Sequence, residues 1–286
     1  MSNQLEITNR TEVVLLIHGL GGTQHDLGRL ESCLADMGMH TADLMLPGHG
    51  SHPDDLCDVF LETWLGAVRR KLAALRQRYR TVHVMGMCMG ALLALEVAKL
   101  EELRRNGRDR LILLAPPLFL DGWSLPWYRF IRHALYRVPL LARYLKINER
   151  SPYGVKNKRL RSLLERKFSR GHSRHYAWVP LTIIRELDRL RWSAMRDLER
   201  VQCSTLIIHA VDDELTSLKS AQYIRDRVNR GHDRPKARLA ILGDSYHMTC
   251  IDNEREDVVR QVTEFLAPAW KGWHAAGSDV PIREIS

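Results

Sequence analysis

Short apolar runs separated by stretches of helical spacing most narrow the folds open to this chain. Val13-Val14-Leu15-Leu16-Ile17, Thr41–Leu46, Thr81-Val82-His83-Val84-Met85, Arg110–Ala115, Thr205–Ala210 and Ala237–Leu242 each read as a strand. Several are nearly continuous in apolar and β-branched residues, as expected of strands covered on both faces in a parallel sheet. Between them lie segments with helical periodicity: Gln24–Met37, Val59–Tyr79, Ala91 to about Arg105, Ser217–Val228 and Asp252–Leu266. In the first of these Leu27, Leu30 and Leu34 share one face. Strands alternating with helices of this length predict an α/β fold, a mostly parallel sheet flanked by helices.

The alternation stops between Pro116 and Cys203, where roughly 85 residues carry no convincing strand. That is far too long for a plain connection within a compact domain. It predicts a mostly helical cap insertion over 117–202, with the core formed by 1–116 and 203–270 and a tail over 271–286. The same segment holds the charge imbalance. Between Asp121 and Arg200 there are 19 Lys/Arg against 7 Asp/Glu, whereas the rest of the chain holds 24 basic and 27 acidic residues. The whole surplus behind the net charge of +9 therefore sits in the insertion. Such a run is either a solvated helical face or a landing surface for an acidic carrier protein or an anionic membrane. Nothing in it resembles a nucleic-acid-binding motif, and no nucleic acid is expected.

Gly86-Met87-Cys88-Met89-Gly90 directly follows one strand and precedes a helix. In that context glycines on both sides of one residue allow a sharp turn that presents the residue at the carboxyl end of the sheet. A cysteine there also sits at a helix N-terminus, whose dipole favours a thiolate. Cys88 is the candidate nucleophile. His18-Gly19-Leu20-Gly21-Gly22 ends an earlier strand, and its turn can direct a backbone N–H at Cys88. With the N–H of Met89 it would form an oxyanion hole. Asp212-Asp213-Glu214 follows the strand ending at Ala210, and Ser245-Tyr246-His247 follows the one ending at Leu242. The chain order nucleophile, acid, base is that of a hydrolase triad, with His247 as base. Asp213 is favoured as the acid, Asp212 competes, and Asp244 is too close in sequence to His247 to buttress it.

These motifs resemble, in order and spacing, those of the carboxylesterase and monoacylglycerol-lipase branch of the α/β-hydrolase superfamily. The resemblance rests on the motifs above together with Pro47-Gly48-His49-Gly50, Asp213-Glu214 and Ser245-Tyr246-His247-Met248-Thr249. It covers about 12–115 and 203–266, and not the insertion. It implies an α/β-hydrolase fold, a triad of Cys88, His247 and Asp213, oxyanion N–H groups from Leu20 and Met89, and a structural role for Pro47–Gly50. The departure is at the nucleophile, where the family carries serine, and at Ala91, where a second glycine is usual. A natural thiol enzyme, a non-catalytic relative and a substituted serine would all carry this residue. The natural thiol enzyme is the favoured reading, and the intact His247, Asp213 and glycine turn argue against the non-catalytic relative.

A thiol at this position implies an acyl-thioester intermediate, and with it an esterase or thioesterase. Acyl transfer from a carrier or coenzyme A thioester is the alternative, and a binding protein without turnover is the rival. No metal or other cofactor is implied. The five cysteines (Cys33, Cys57, Cys88, Cys203 and Cys250) are odd in number and lack CxxC spacing, which fits a reducing, cytoplasmic setting. The first residues, Met1-Ser2-Asn3-Gln4-Leu5-Glu6, lack a secretory pattern.

Overall fold

The computed structural model describes residues 12–100, 107–169, 175–267 and 280–281. Its elements in chain order begin β1 (Glu12–Ile17), α1 (Leu30–Asp36), β2 (His40–Leu44), α2 (Leu61–Arg76), β3 (Thr81–Met87), α3 (Met89–Ala98) and β4 (Arg110–Leu114). Then come α4 (Arg132–Leu135), α5 (Pro139–Tyr144), β5 (Lys146–Asn148), α6 (Lys158–Ser169), β6 (Trp178–Pro180) and α7 (Leu181–Ala194). The chain returns to the sheet with β7 (Ser204–Ala210), α8 (Lys219–Asn229), β8 (Ala237–Leu242), α9 (Arg255–Leu266) and β9 (Val280–Pro281).

The main sheet runs β2-β1-β3-β4-β7-β8-β9, with every pairing parallel. Parallel strands need helical crossovers, and these cover both faces. Alternate residues of one strand therefore feed two cores. Val13, Leu15 and Ile17 pack with side chains of α2, α3, α7 and α8, whereas Val14 and Leu16 pack with those of α1 and α9. Ile17 pairs with Gly86, Met87 with Leu114 and Ala210 with Leu242, so the carboxyl ends of five strands share one edge.

Three differences from the sequence expectation have local causes. The stretch Gln24–Met37 is a 3-10 turn over Gln24–Leu27 followed by α1, because Gly28 interrupts it at φ 60°. A Cβ at Gly28 would strike the Cys250 carbonyl, so chain packing as well as conformation demands glycine there. The helix after Cys88 begins at Met89, and its expected extension over 101–105 lies outside the described residues. The insertion holds one strand pair, β5 with β6, antiparallel over Lys146–Pro180, Ile147–Val179 and Asn148–Trp178. Three-residue strands are too short to display alternation in sequence. Of the expected tail, only the two residues of β9 are described, and the N-terminal hexapeptide lies outside the described residues.

The segment between β4 and β7 packs in two different ways. Helix α7 lies against α3 and α2, with Ile183, Leu187, Leu190 and Ala194 in the main core. Helix α6 buries no side chain, and Trp127, Leu140 and Tyr144 are exposed. No helix among the described residues is long and apolar enough to cross a membrane.

Candidate active site

Cys88 is the hinge between β3 and α3, at φ 53° and ψ −121°. A non-glycine residue at positive φ is uncommon and costs on the order of 1–3 kcal/mol. The surroundings impose it. A Cβ at Gly86 would collide with the Gly90 carbonyl, and one at Gly90 with the carbonyls of Ile17 and His18. The turn therefore closes only with glycine on both sides, and it leaves Cys88 half-buried at the carboxyl edge of the sheet. The Cys88 N–H donates to the Leu114 carbonyl (2.9 Å), tying the apex to β4.

The turn after β1 lies against this apex. A Cβ at Gly19 would sit 3.1 Å from the Cys88 Cβ and 3.8 Å from its Sγ. Among the described residues, no acceptor takes the N–H of Leu20 or that of Met89. The Gly21 N–H, by contrast, donates to His49 Nε2 at 3.0 Å.

His247 lies on the loop between β8 and α9, and its Nδ1–H donates to Asp213 Oδ2 at 2.7 Å. Both side chains are buried. The other Asp213 oxygen accepts from the N–H groups of Leu215 (2.9 Å) and Thr216 (3.0 Å), so the carboxylate is oriented by its own loop. Burial works against a charge on Asp213, but the neighbouring imidazole outweighs it and holds the acid below its ordinary range. For His247, too, burial opposes the charged form. Asp213 and Cys88 outweigh it, and the imidazole pKa rises well above the usual 6.5. Among the described residues, His247 Nε2 is buried with no partner at full hydrogen-bond geometry, yet Cys88 lies near enough to help raise the imidazole pKa. Such contacts tighten when substrate arrives.

The structure thus brings Cys88, His247 and Asp213 to one edge, beside the turn carrying Leu20 and the helix start carrying Met89. It leaves out the other acids. Lys156 Nζ bridges Asp212 (2.8 Å) and Asp244 (3.2 Å), and both carboxylates are about half exposed. Among the described residues, no group of three or more His, Cys, Asp or Glu side chains is arranged to hold a metal ion.

Several supporting residues had no role assigned from the sequence, Glu214 among them although its motif was visible. Glu214 Oε2 accepts the His247 N–H at 3.1 Å, and burial pushes the Glu214 carboxyl up. His209, on β7, places its Nε2 3.9 Å from Asp213 Oδ2, and burial pushes its pKa down. Asp252 is fully buried and accepts from the N–H groups of Tyr246 (2.8 Å), Lys156 (2.7 Å) and Asn157 (2.9 Å). It therefore fastens the histidine loop to the inserted segment. That segment touches each site loop at a different place. Its start meets the acid loop: Ser124 N–H and Oγ–H donate to the Glu214 carbonyl, and the Trp123 indole donates to the Asp212 carbonyl. Its end meets the glycine turn, where the Tyr176 N–H donates to the Gly21 carbonyl at 2.8 Å.

The chain is similar to known proteins over most of its length. The Alpha/beta hydrolase family matches residues 14–261. A thermostable monoacylglycerol lipase from Bacillus sp. (strain H-257) is 24% identical over 259 residues, covering 89% of this chain and 90% of that protein. A solved structure from work on LipS and LipT, two metagenome-derived lipolytic enzymes, superposes with a TM-score of 0.71 at 21% identity. It covers 89% of this chain and 93% of that one. The Paleococcus ferrophilus monoacylglycerol lipase gives a TM-score of 0.70 at 15% identity, with the same two coverages.

Proposed function

Since the chain belongs to the alpha/beta hydrolase family, we propose that it is an esterase- or thioesterase-type hydrolase whose nucleophile is the Cys88 thiol. The observation that carries this reading is the buried His247–Asp213 pair at 2.7 Å, on the same sheet edge as a cysteine held at φ 53°. Strain of that kind persists where the surroundings over-determine it, and it clusters at reactive sites. The lipase relatives make an acyl ester the first substrate class to try.

In the proposed cycle the Cys88 sulfur, its proton transferred to His247 Nε2, attacks the acyl carbonyl carbon. The carbonyl oxygen takes up the negative charge and receives the N–H groups of Leu20 and Met89. The tetrahedral carbon then expels the alcohol or thiol, which leaves with the proton from His247. Water, deprotonated by His247, attacks the resulting thioester, releasing the carboxylic acid and restoring the thiol. Asp213 holds the imidazole tautomer and balances its charge throughout. An acyl acceptor other than water would make the same intermediate a transferase step.

The partner we favour is an anionic lipid surface, in preference to an acidic carrier protein. Trp127, Leu140 and Tyr144 are exposed on the insertion alongside its surplus of basic residues. A carrier needs only complementary charge, whereas exposed aromatic and apolar side chains beside cations suit a lipid interface. Free cysteines throughout favour a reducing, cytoplasmic setting.

The test is turnover of a panel of monoacylglycerols, simple esters and acyl thioesters, with Cys88→Ala alongside. Hydrolysis lost by at least about 10³-fold in the variant supports the reading; unchanged hydrolysis overturns it. Binding to anionic vesicles should weaken steeply with salt and fall further when Arg159, Arg166 and Lys167 are reversed in charge. Arg161 is set aside because its guanidinium is bonded to the carbonyls of Val155 and Lys156.

A further inference from the structure

The oxyanion turn is held by side chains that neither the triad nor the acyl chemistry uses. In a trans peptide the Gly19 carbonyl and the Leu20 N–H point in opposite directions. Whatever fixes one aims the other. His18 Nδ1 lies 2.8 Å from the Gly19 oxygen, and its Nε2 accepts the Leu46 N–H at 3.1 Å. The acceptor role at Nε2 puts the proton on Nδ1, so His18 donates to the Gly19 carbonyl. His49 repeats the arrangement one peptide further along. Its Nε2 accepts the Gly21 N–H at 3.0 Å, and its Nδ1–H faces the Pro47 carbonyl at 3.2 Å. The two imidazoles meet edge to face at 4.9 Å.

Tyr176 closes this assembly from the other side. It belongs to the end of the inserted segment, far from the turn in sequence. Its N–H donates to the Gly21 carbonyl, and its hydroxyl donates to the Gly48 carbonyl (3.0 Å) and accepts the Ser51 N–H (3.1 Å). Its ring stacks on His49 at 6.0 Å and 6°. Both peptides that border Gly21 are thereby pinned, one by His49 and the other by Tyr176.

We infer that His49 and Tyr176 are positioning residues for the oxyanion turn, so that the seating of the inserted segment sets how well the Leu20 N–H is aimed at the reacting carbonyl. This rests on the proposed acyl chemistry at Cys88. His49 works as a neutral acceptor, and burial pushes its pKa down to about 3, so it keeps that form across the working range of pH.

Acylation and alkylation of the same sulfur separate this role from a structural one. Iodoacetamide alkylates a thiolate by displacement and develops no oxyanion, whereas an ester or thioester needs the hole. The variants are Tyr176→Phe, which removes only the hydroxyl, His49→Leu, which removes the acceptor, and His49→Gln, which can restore one. Acylation and alkylation at Cys88 are read by peptide mass spectrometry.

We expect acylation to slow about 10-fold in Tyr176→Phe and about 10²-fold in His49→Leu, with partial recovery in His49→Gln and alkylation unchanged. The loss should appear in the acylation rate constant and leave KM nearly constant. Acylation unchanged in both Tyr176→Phe and His49→Leu overturns the inference while leaving the proposed function standing. Equal losses of acylation and alkylation also overturn it, because they would make the two residues supports of the whole site. A wild-type chain that alkylates but is never acylated by esters or thioesters overturns both.

Discussion

The sheet with its covering helices and the segment between β4 and α7 are built on opposite terms. In the sheet, Val13, Leu15, Ile17, Val84, Leu113 and Ile207 are wholly buried, and their neighbours on both faces are apolar. Among the described residues of 119–180, the buried apolar side chains are Ala142, Pro152, Val155, Tyr176 and Pro180, while Trp127, Leu140 and Tyr144 face outward. The first region is held by volume, the second by a few polar ties at its start, middle and end. Each tie lands on a different site loop: Ser124 on the acid loop, Lys156 and Asn157 through Asp252 on the histidine loop, and Tyr176 on the glycine turn. A segment attached in this way contributes little burial of its own, yet it can set the relative placement of three loops of the candidate site.

The largest effect expected from that contrast is at the charge pair itself. Asp213→Asn should lower turnover about 10³–10⁴-fold, because the amide leaves His247 mis-oriented or in the wrong tautomer. Asp212→Asn should change it less than about 3-fold, since Asp212 faces Lys156 at the surface and its loss costs only a solvated ion pair. Steady-state kinetics of the two variants decide the point; a crippled Asp212→Asn with a mild Asp213→Asn would move the acid to the neighbour.

Stability should divide along the same line. Leu190→Ala, in the core beneath α7, should cost about 2–5 kcal/mol by denaturant unfolding. Leu140→Ala, exposed on α5, should fall within about 0.5 kcal/mol of the parent. Similar losses at both positions would mean that the segment is packed as the core is, and the contrast would fail.

Asp252→Asn sharpens the role of the middle tie. Replacing a carboxylate that accepts three backbone N–H groups should destabilise the histidine loop and lower kcat about 10-fold, with the fold retained by circular dichroism. Retained kcat would make Asp252 a purely structural tie.

The smallest effect concerns His175, which lies 3.5 Å from Asp26 and 3.6 Å from Glu149. Burial works against its charge, but the two carboxylates outweigh it and raise its pKa to about 10. A raised imidazole stabilises the folded state fully below its unfolded value, near 6.5. That contribution declines as pH rises and is gone near pH 10. The stability gap between the parent and His175→Gln should therefore be widest near pH 6 and close toward pH 10. It will be modest, because the His175 side chain is 24% exposed. A gap that does not vary with pH would remove the ionic account of this tie.

The sheet was legible in the sequence because its strands are buried on both faces, which leaves runs such as Val13–Ile17 almost free of polar residues. The elbow at Cys88 was legible for a related reason: close backbone approach at Gly86 and Gly90 admits no side chain, and the glycines mark it. Asp213 was favoured over Asp212 mainly by resemblance, since adjacent acids in one loop differ by where the loop turns them. Tyr176, Asp252 and His209 left no trace. Tyr176 and Asp252 act through backbone groups or partners far away in the chain, and neither kind of contact imposes a spacing; His209 reads as an ordinary residue of β7 until the acid loop folds back on it. The short β5–β6 pair escaped notice because its strands are too brief to alternate.

The central claim is that acyl groups pass through the Cys88 sulfur. Intact-mass and peptide mass spectrometry, after rapid quenching with an activated ester and with an acyl thioester, test it most directly. A mass increase equal to the acyl group on the peptide carrying Cys88, absent in Cys88→Ala and slowed at least about 10²-fold in His247→Ala, is the predicted result. Turnover that proceeds in Cys88→Ala, or an adduct that maps to another residue, would contradict it.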